Sequence, residues 1–291
     1  MKIIHISDLH LPISIPIFSL SGKMILGYIS YTLRRKKKYP EKIFSAILNK
    51  IKTTDYDCLI ISGDITNVSS DLEFQNVSKK LSPILDERVF IIPGNHDRYV
   101  KKALRPVDLF EKYFGQFTGE KTFEEENFYL RFKKIKSHCI IGWDSNFPNS
   151  MIKATGYVNK KVLINSKNLL HTLNLKNPII VCHHPLWNPE DKNESSFHRL
   201  SNREEVITHL KDMSPIVYLH GHVHSNWVKH SDEQIPFPIV NSASSPRISD
   251  ECHNSGFHIL DIHDKKIQFT RFHYSKQENQ MIQDELIQYS K

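Results

Sequence analysis

Lys2-Ile3-Ile4-His5-Ile6-Ser7-Asp8-Leu9-His10 opens the chain with a short apolar run that stops in a polar turn carrying a carboxylate and an imidazole. The run reads as a first buried strand. The same pattern, an apolar stretch that delivers polar side chains at its end, recurs along the chain. Run 57–62 leads into Gly63-Asp64-Ile65-Thr66-Asn67, and run 88–92 into Pro93-Gly94-Asn95-His96-Asp97. Run 178–183 ends in His183-His184-Pro185, and run 216–220 in His220-Gly221-His222-Val223-His224. A further strand is expected at 137–143. Helical spacing fills the gaps, most clearly at 41–52 (Ile43, Phe44, Ile47, Leu48, Ile51) and also at 71–81, 107–114, 160–173 and 203–210. Strands alternating with helices predict an α/β layered domain. After Pro236 the pattern turns to strands at 237–241, 256–262 and 266–274, and the polar 275–290 reads as a surface helix or frayed end. With no internal repeat and no flexible linker, a single domain over 1–275 with a tail at 276–291 is expected.

Composition narrows the class. The chain has 291 residues, 39% hydrophobic, enough for a substantial core, and 24% charged, ordinary for a globular protein. Its net charge of +7 favours anionic partners without choosing among them. Of four cysteines, Cys58, Cys139 and Cys182 sit in apolar runs and none forms a CxxC pair. A zinc ribbon and a disulfide framework are therefore not indicated, and a reducing compartment is expected. The first residues lack the long apolar stretch and small-residue cleavage site of a secretory signal, so a cytoplasmic location is expected.

One segment breaks the alternation. Residues 11–33 are almost wholly apolar, with Lys23 the only charge, and they run into Arg34-Arg35-Lys36-Lys37-Lys38. The length would suit a membrane span, but Pro12 and Pro16 break its first half, and Asp8 and His10 just upstream belong to a folded site. From Gly22 onward Met24, Ile25, Tyr28, Ile29 and Leu33 are expected to share one helical face beside the cationic cluster. Such a segment is either a helix packed on the domain edge or a peripheral membrane contact.

Most of these polar clusters, taken alone, have an ordinary reading: Asp8-Leu9-His10 and Gly63-Asp64 as turns, His183-His184-Pro185 as structural. Together, at the ends of five strands, they form a donor set of carboxylates, imidazoles and an amide without thiolate. That chemistry argues against a closed structural zinc site and for open, higher-coordinate Mn²⁺, Fe or Zn²⁺. In open α/β sheets, ligands gather at the carboxyl ends of strands. The order DxH, GDxxN, GNHD, HHP, GHxH resembles the calcineurin-like metallophosphoesterase superfamily, with motifs spanning residues 8 to 224.

The resemblance implies a pair of mixed sheets flanked by helices, a two-sheet sandwich of the αββα type. It also implies two divalent metal ions. One would be held by Asp8, His10, Asp64 and His224, the other by Asp64, Asn95, His183 and His222, with Asp64 bridging. By the same resemblance His183 is the expected ligand of its pair and His184 a neighbour, while His220 is expected either to support a ligand from behind or to be structural. Two metals about 3.5–4 Å apart bind a phosphate oxygen and lower the pKa of a bridging water, which attacks phosphorus in line with the leaving group. His96 is assigned the proton for the leaving oxygen, with Asp97 orienting its ring. Weaker candidates are the loop Asn241-Ser242-Ala243-Ser244, which closes the site in relatives, and Arg98 and Arg247 as phosphate contacts.

The expected activity is hydrolysis of a phosphodiester or pyrophosphate. Its substrate is expected among nucleotides, cyclic nucleotides and nucleotide-lipids resembling UDP-diacylglucosamine. A phosphomonoesterase and a non-catalytic scaffold of the same fold are the alternatives. No nucleic-acid partner is expected, because no basic groove interleaved with aromatics is evident.

Overall fold

In the computed structural model, residues 1–125, 128–150, 153–192, 194–251, 253–263 and 266–290 are described. The first half runs β1 (Lys2–Ile6), α1 (Lys23–Ser30), α2 (Glu41–Thr53), β2 (Cys58–Ile61), α3 (Asp71–Leu81), β3 (Val89–Ile91) and α4 (Leu109–Phe114). A hairpin, β4 (Glu120–Glu125) and β5 (Phe128–Ile135), leads to β6 (His138–Trp143), α5 (Lys160–Thr172), β7 (Ile179–Cys182), α6 (Arg203–Met213) and β8 (Val217–His220). The chain ends in β9 (Asn226–Lys229), β10 (Ile239–Ser242), β11 (Phe257–His263), β12 (Lys266–Ser275) and β13 (Gln280–Ser290).

These strands make two mixed sheets, one ordered β13-β12-β11-β1-β2-β3 and the other β4-β5-β6-β7-β8-β10-β9. β1, β2 and β3 pair in parallel, as do β6, β7, β8 and β10. Parallel neighbours need a crossover; helices supply it between β1, β2 and β3 and between β6, β7 and β8, while β8 reaches β10 through β9.

Side-chain alternation then sorts the core into three layers. Ile3, Ile60, Phe90 and Ile92 of one sheet meet Ile140, Ile179, Val181 and Leu219 of the other in the central layer. On the next residues along, Ile4, Ile6, Leu59 and Ile61 turn outward under α2, α3 and α4, which contribute Ile47, Phe74 and Phe110. Ile141, Trp143, Ile180 and Tyr218 do the same under α5 and α6, with Leu163 and Leu210. The two-sheet sandwich flanked by helices expected from the resemblance is therefore present. Cys58, Cys139 and Cys182 are buried free thiols, and Cys252 lies outside the described residues.

Two expectations are corrected. Residues 280–290 form neither a surface helix nor a frayed end. They make the antiparallel partner of β12, from Ser275↔Gln280 to Lys266↔Ser290, because β12 is an edge with free hydrogen-bonding groups. Lys291 lies outside the described residues. Segment 11–38 does form a helix from Lys23, but its apolar residues occupy two faces. Met24 and Tyr31 are buried while Ile29 and Leu33 are exposed. Among the described residues, no helix is long and apolar enough to cross a membrane.

Candidate metal centre

The clusters meet because β1, β2 and β3 end at the same edge of one sheet, and β7 and β8 end opposite them in the other. Backbone bonds lock the turns together: Asp8 N–H donates to Gly63 O at 2.9 Å, His10 N–H to Asp64 O at 3.0 Å, and Gly221 N–H to His183 O at 3.1 Å. The approach is close enough to require glycine. A Cβ on Gly94 would collide with the Asp64 carboxylate, and one on Gly221 with Ser7 Oγ and the Asp8 carboxylate. Asp8, His10, Asp64 and His222 all adopt positive φ, of 49°, 39°, 54° and 74°. Such conformations are unfavourable for non-glycine residues and persist where surrounding structure holds them for a site.

Carboxylates and imidazoles converge at this edge. Asp8, His10 and His224 offer ligand atoms within 4.8 Å of one another, and so do Asp8, Asp64 and His183. His10 Nε2 lies 3.2 Å from His224 Nε2 and 3.7 Å from Asp64 Oδ2. On the other side of Asp64, His183 Nε2 lies 3.5 Å from the same oxygen and 3.1 Å from Asn95 Oδ1. His222 Nδ1 is 2.9 Å from Asn95 Oδ1. Asp64 thus stands between two groups, and the seven residues singled out in the sequence are all brought to one place.

The outer nitrogens are tied down, so the inner ones are aimed. His183 Nδ1 meets Ser62 O at 2.8 Å and His10 Nδ1 meets Thr66 O at 3.2 Å. His222 Nε2 meets the His198 carbonyl at 2.7 Å. Such bonds fix the tautomer and ring orientation of a metal-binding histidine.

The electrostatics fit a cation. Burial alone would raise Asp64, but the His183, His96 and His10 imidazoles outweigh it and hold its carboxyl well below the usual range. Burial opposes a proton on His183, yet the Asp64 carboxylate pushes it up to about 9. An arrangement that favours a proton there favours a divalent cation for the same reason.

The remaining predicted residues divide. His96 donates from Nδ1 to Asn67 O at 2.7 Å, and its Nε2 lies 3.2 Å from Arg35 Nη1. Burial and the Arg35 charge push its pKa down to about 4, although Asp64 acts the other way. Asp97 does not orient that ring. Its buried carboxylate accepts from the N–H of Ile65, Thr66 and Gly94 and from Thr66 Oγ1, stapling the β2 and β3 turns together. Arg98 is also removed from the phosphate side, being buried against Asp144 at 3.0 Å and Asp108 at 2.5 Å. Arg247 pairs with Asp250 at 2.7 Å. His184 turns away to Ser145 Oγ and Ala154 O, and His220 to its neighbouring Gly221 carbonyl. In the 241–244 loop, Ser244 Oγ meets Tyr39 at 2.8 Å, and the next residue, Ser245, bonds Ser7 through backbone and side chain.

Two adjoining cavities reach the centre, of about 590 and 480 Å³, and share Arg35, Asn95, His96, Ala154 and His198. The first takes in Asp64, His222 and His224. The second runs away between α1 and the loops carrying Tyr99, Phe147 and Asn149. Sequence reasoning missed Arg35 and His198. The run 34–38 was visible, but nothing in it distinguished the arginine that folds inward, and His198 acts through a backbone oxygen that any residue possesses.

The family model for calcineurin-like phosphoesterases matches residues 1–226. A probable cyclic nucleotide phosphodiesterase of Ruthia magnifica subsp. Calyptogena magnifica is 26% identical over 181 residues, covering 61% of this chain. That alignment covers 66% of the relative, so the chain spans just under two thirds of its length. A dimetal phosphatase from Danio rerio superposes with a TM-score of 0.66 at 13% identity, over 99% of this chain and 98% of its own. A purple acid phosphatase from yellow lupin, Lupinus luteus, gives 0.62 at 11% identity, over 99% of this chain and 53% of its own.

Proposed function

The chain belongs to the calcineurin-like phosphoesterase family, and from that premise we propose that it is a metal-dependent phosphohydrolase cleaving a phosphodiester or pyrophosphate bond. The observation that carries the reading is Asp64 standing between two donor groups, His10 with Asp8 and His224 on one side, His183 with Asn95 and His222 on the other. The donor set of oxygen and imidazole nitrogen, with outer nitrogens anchored, fits the dinuclear divalent centre that the family uses. When bound, two such cations supply Lewis-acid stabilisation of charge on the phosphoryl oxygens and acidify water.

The chain's own residues do the rest. Asp8, His10, Asp64 and His224 would hold one ion, and Asp64, Asn95, His183 and His222 the other. Arg35, at the junction of the two cavities, donates to a phosphoryl oxygen not engaged elsewhere. His96, whose Nε2 accepts from Arg35 in this arrangement, serves the leaving oxygen once Arg35 turns to the phosphoryl group and Nε2 takes up a proton. His222, fixed on the His198 carbonyl, closes one wall. A phosphorus atom between two cavities suits a substrate with a substituent on each side, a diester or pyrophosphate rather than a monoester. The similarity to a probable cyclic nucleotide phosphodiesterase supports a nucleotide among the candidate substrates.

The test is hydrolysis of bis(p-nitrophenyl) phosphate and p-nitrophenyl phosphate by chelated, Mn²⁺-restored and Asn95→Ala protein. Diester cleavage restored by metal and lost in the variant supports the reading. Cleavage of the monoester alone replaces it with a phosphomonoesterase, and no activity together with no bound metal leaves a scaffold.

A further inference from the structure

Segment 17–38 buries one apolar face and turns a second one outward. Met24, Gly27, Tyr28 and Tyr31 recur at i, i+3, i+4 and i+7. Met24 and Tyr31 are buried, a Cβ on Gly27 would press on the Tyr99 ring, and Tyr28 Oη accepts the Ile15 N–H at 2.9 Å. On the other side Leu26, Ile29 and Leu33 follow at i, i+3 and i+7, and they are 51%, 42% and 77% exposed. Just ahead of the helix, Ile17 and Phe18 protrude at 58% and 92%. A helix whose outer face meets only water carries polar residues there. Here five of the nine large hydrophobic side chains exposed among the described residues fall within one stretch of the chain.

Charge identifies what covers this face. Arg34-Arg35-Lys36-Lys37-Lys38 follows directly, and no Asp or Glu occurs between Asp8 and Glu41. Lys23 and Arg35 turn inward, to Asn149 and His96, which leaves Arg34 and Lys36–Lys38 on the outside. Lys36, Lys37 and Lys38 are exposed. Clustered aliphatic and aromatic side chains beside an unopposed cationic run match the boundary of a bilayer bearing anionic headgroups. An apolar cavity of about 390 Å³, bordered by Ser19, Met24, Leu72, Val100 and Leu109, opens beside the same segment.

We propose that the outer face of 17–38 docks on an anionic lipid surface. Phe18, Ile29 and Leu33 enter the headgroup–acyl boundary, and Lys36–Lys38 meet lipid phosphates. Docking would set the mouth of the 480 Å³ cavity at the membrane, because Lys23, Leu26, Ser30, Tyr31 and Arg35 of this segment line it. The docking does not depend on the hydrolysis proposed above.

Sedimentation of the full chain with phosphatidylcholine vesicles, with and without phosphatidylglycerol, tests it. The protein should pellet with the anionic vesicles and be released as salt rises. F18S/I29S/L33S and K36A/K37A/K38A should each weaken binding about tenfold or more, the first by removing the inserted apolar side chains and the second by removing the attraction to lipid phosphates. Pelleting with neither vesicle, equal pelleting with both, or pelleting that both variants retain overturns the proposal. A protein partner that binds this face instead would give the first of these results. Hydrolysis of soluble bis(p-nitrophenyl) phosphate without vesicles should be unaltered in F18S/I29S/L33S, whose side chains lie outside both cavities. Absence of that hydrolysis in the wild type would fall on the reaction and leave the docking result standing.

Discussion

Arg35 Nη1 lies 3.2 Å from His96 Nε2, joining the basic run of the inserted segment to the turn that follows β3. Arg35 also lines both cavities at their junction. Its guanidinium is placed to meet an anionic phosphoryl group before any lysine of the run. Arg35→Ala should therefore lower kcat/KM for bis(p-nitrophenyl) phosphate roughly 10²-fold, with metal content unchanged. Arg35→Lys should recover only part, because an ammonium lacks the planar fork. A wild-type rate in Arg35→Ala would remove it from the site.

His96 has its Nδ1 committed to Asn67 O and only Nε2 facing the cavity. His96→Ala should keep its metal but lose roughly 10²- to 10⁴-fold in turnover, most severely on substrates with poor leaving groups. Rates compared across phenols of rising pKa check this. An equal loss on all of them would mean that His96 does not serve the leaving oxygen.

Asp97 is a staple between turns, so its replacement should be felt first in folding. Asp97→Asn puts an amide where four donors converge. About 1–3 kcal/mol of stability should be lost, read as a lower urea midpoint. Activity per metal-loaded molecule should fall less than in His96→Ala. The opposite order would restore a direct catalytic part for Asp97.

His258, in β11 opposite His5, carries a pH dependence of its own. Burial, and secondarily the Arg271 charge, push it down to about 3 from an ordinary 6.5, and its Nδ1 meets Ser242 Oγ at 2.8 Å. The folded chain thus holds His258 neutral where the unfolded chain protonates it. This contribution to stability is fully present above pH 6.5 and is lost as pH falls from 6.5 toward 3. Within that window it steepens the slope by up to about 1.4 kcal/mol per pH unit. Urea midpoints of wild type and His258→Asn across pH 4–7 should show a shallower fall in the variant. Parallel slopes would refute it.

Strands β1, β2, β3, β7 and β8 were legible because each is an apolar run closed by a polar cluster, and the five clusters give the donor set its chemistry. The terminal strand was not legible. Residues 280–290 mix polar side chains with Met281, Ile282, Leu286 and Ile287 in adjacent pairs rather than in strict alternation, and the strand forms by pairing along β12. Arg98 and Arg247 look alike in sequence to Arg35. Burial beside Asp144 and Asp108 occupies the first and Asp250 the second. The face of α1 was misread for a similar reason: both sides of that helix are apolar, so spacing alone could not say which one the protein buries.

What the sequence by itself determined is local: strands from short apolar runs, turns from glycine and proline, and a donor set from residue type. Tertiary structure alone decided which nitrogen of each histidine faces inward, that Asp97 braces the turns, that Arg35 and the His198 carbonyl join the site, and that Leu26, Ile29 and Leu33 remain outside. Those outcomes depend on contacts between residues far apart in the chain. A hydrogen bond or a buried face exists only once the two sheets have packed and the partner is in place.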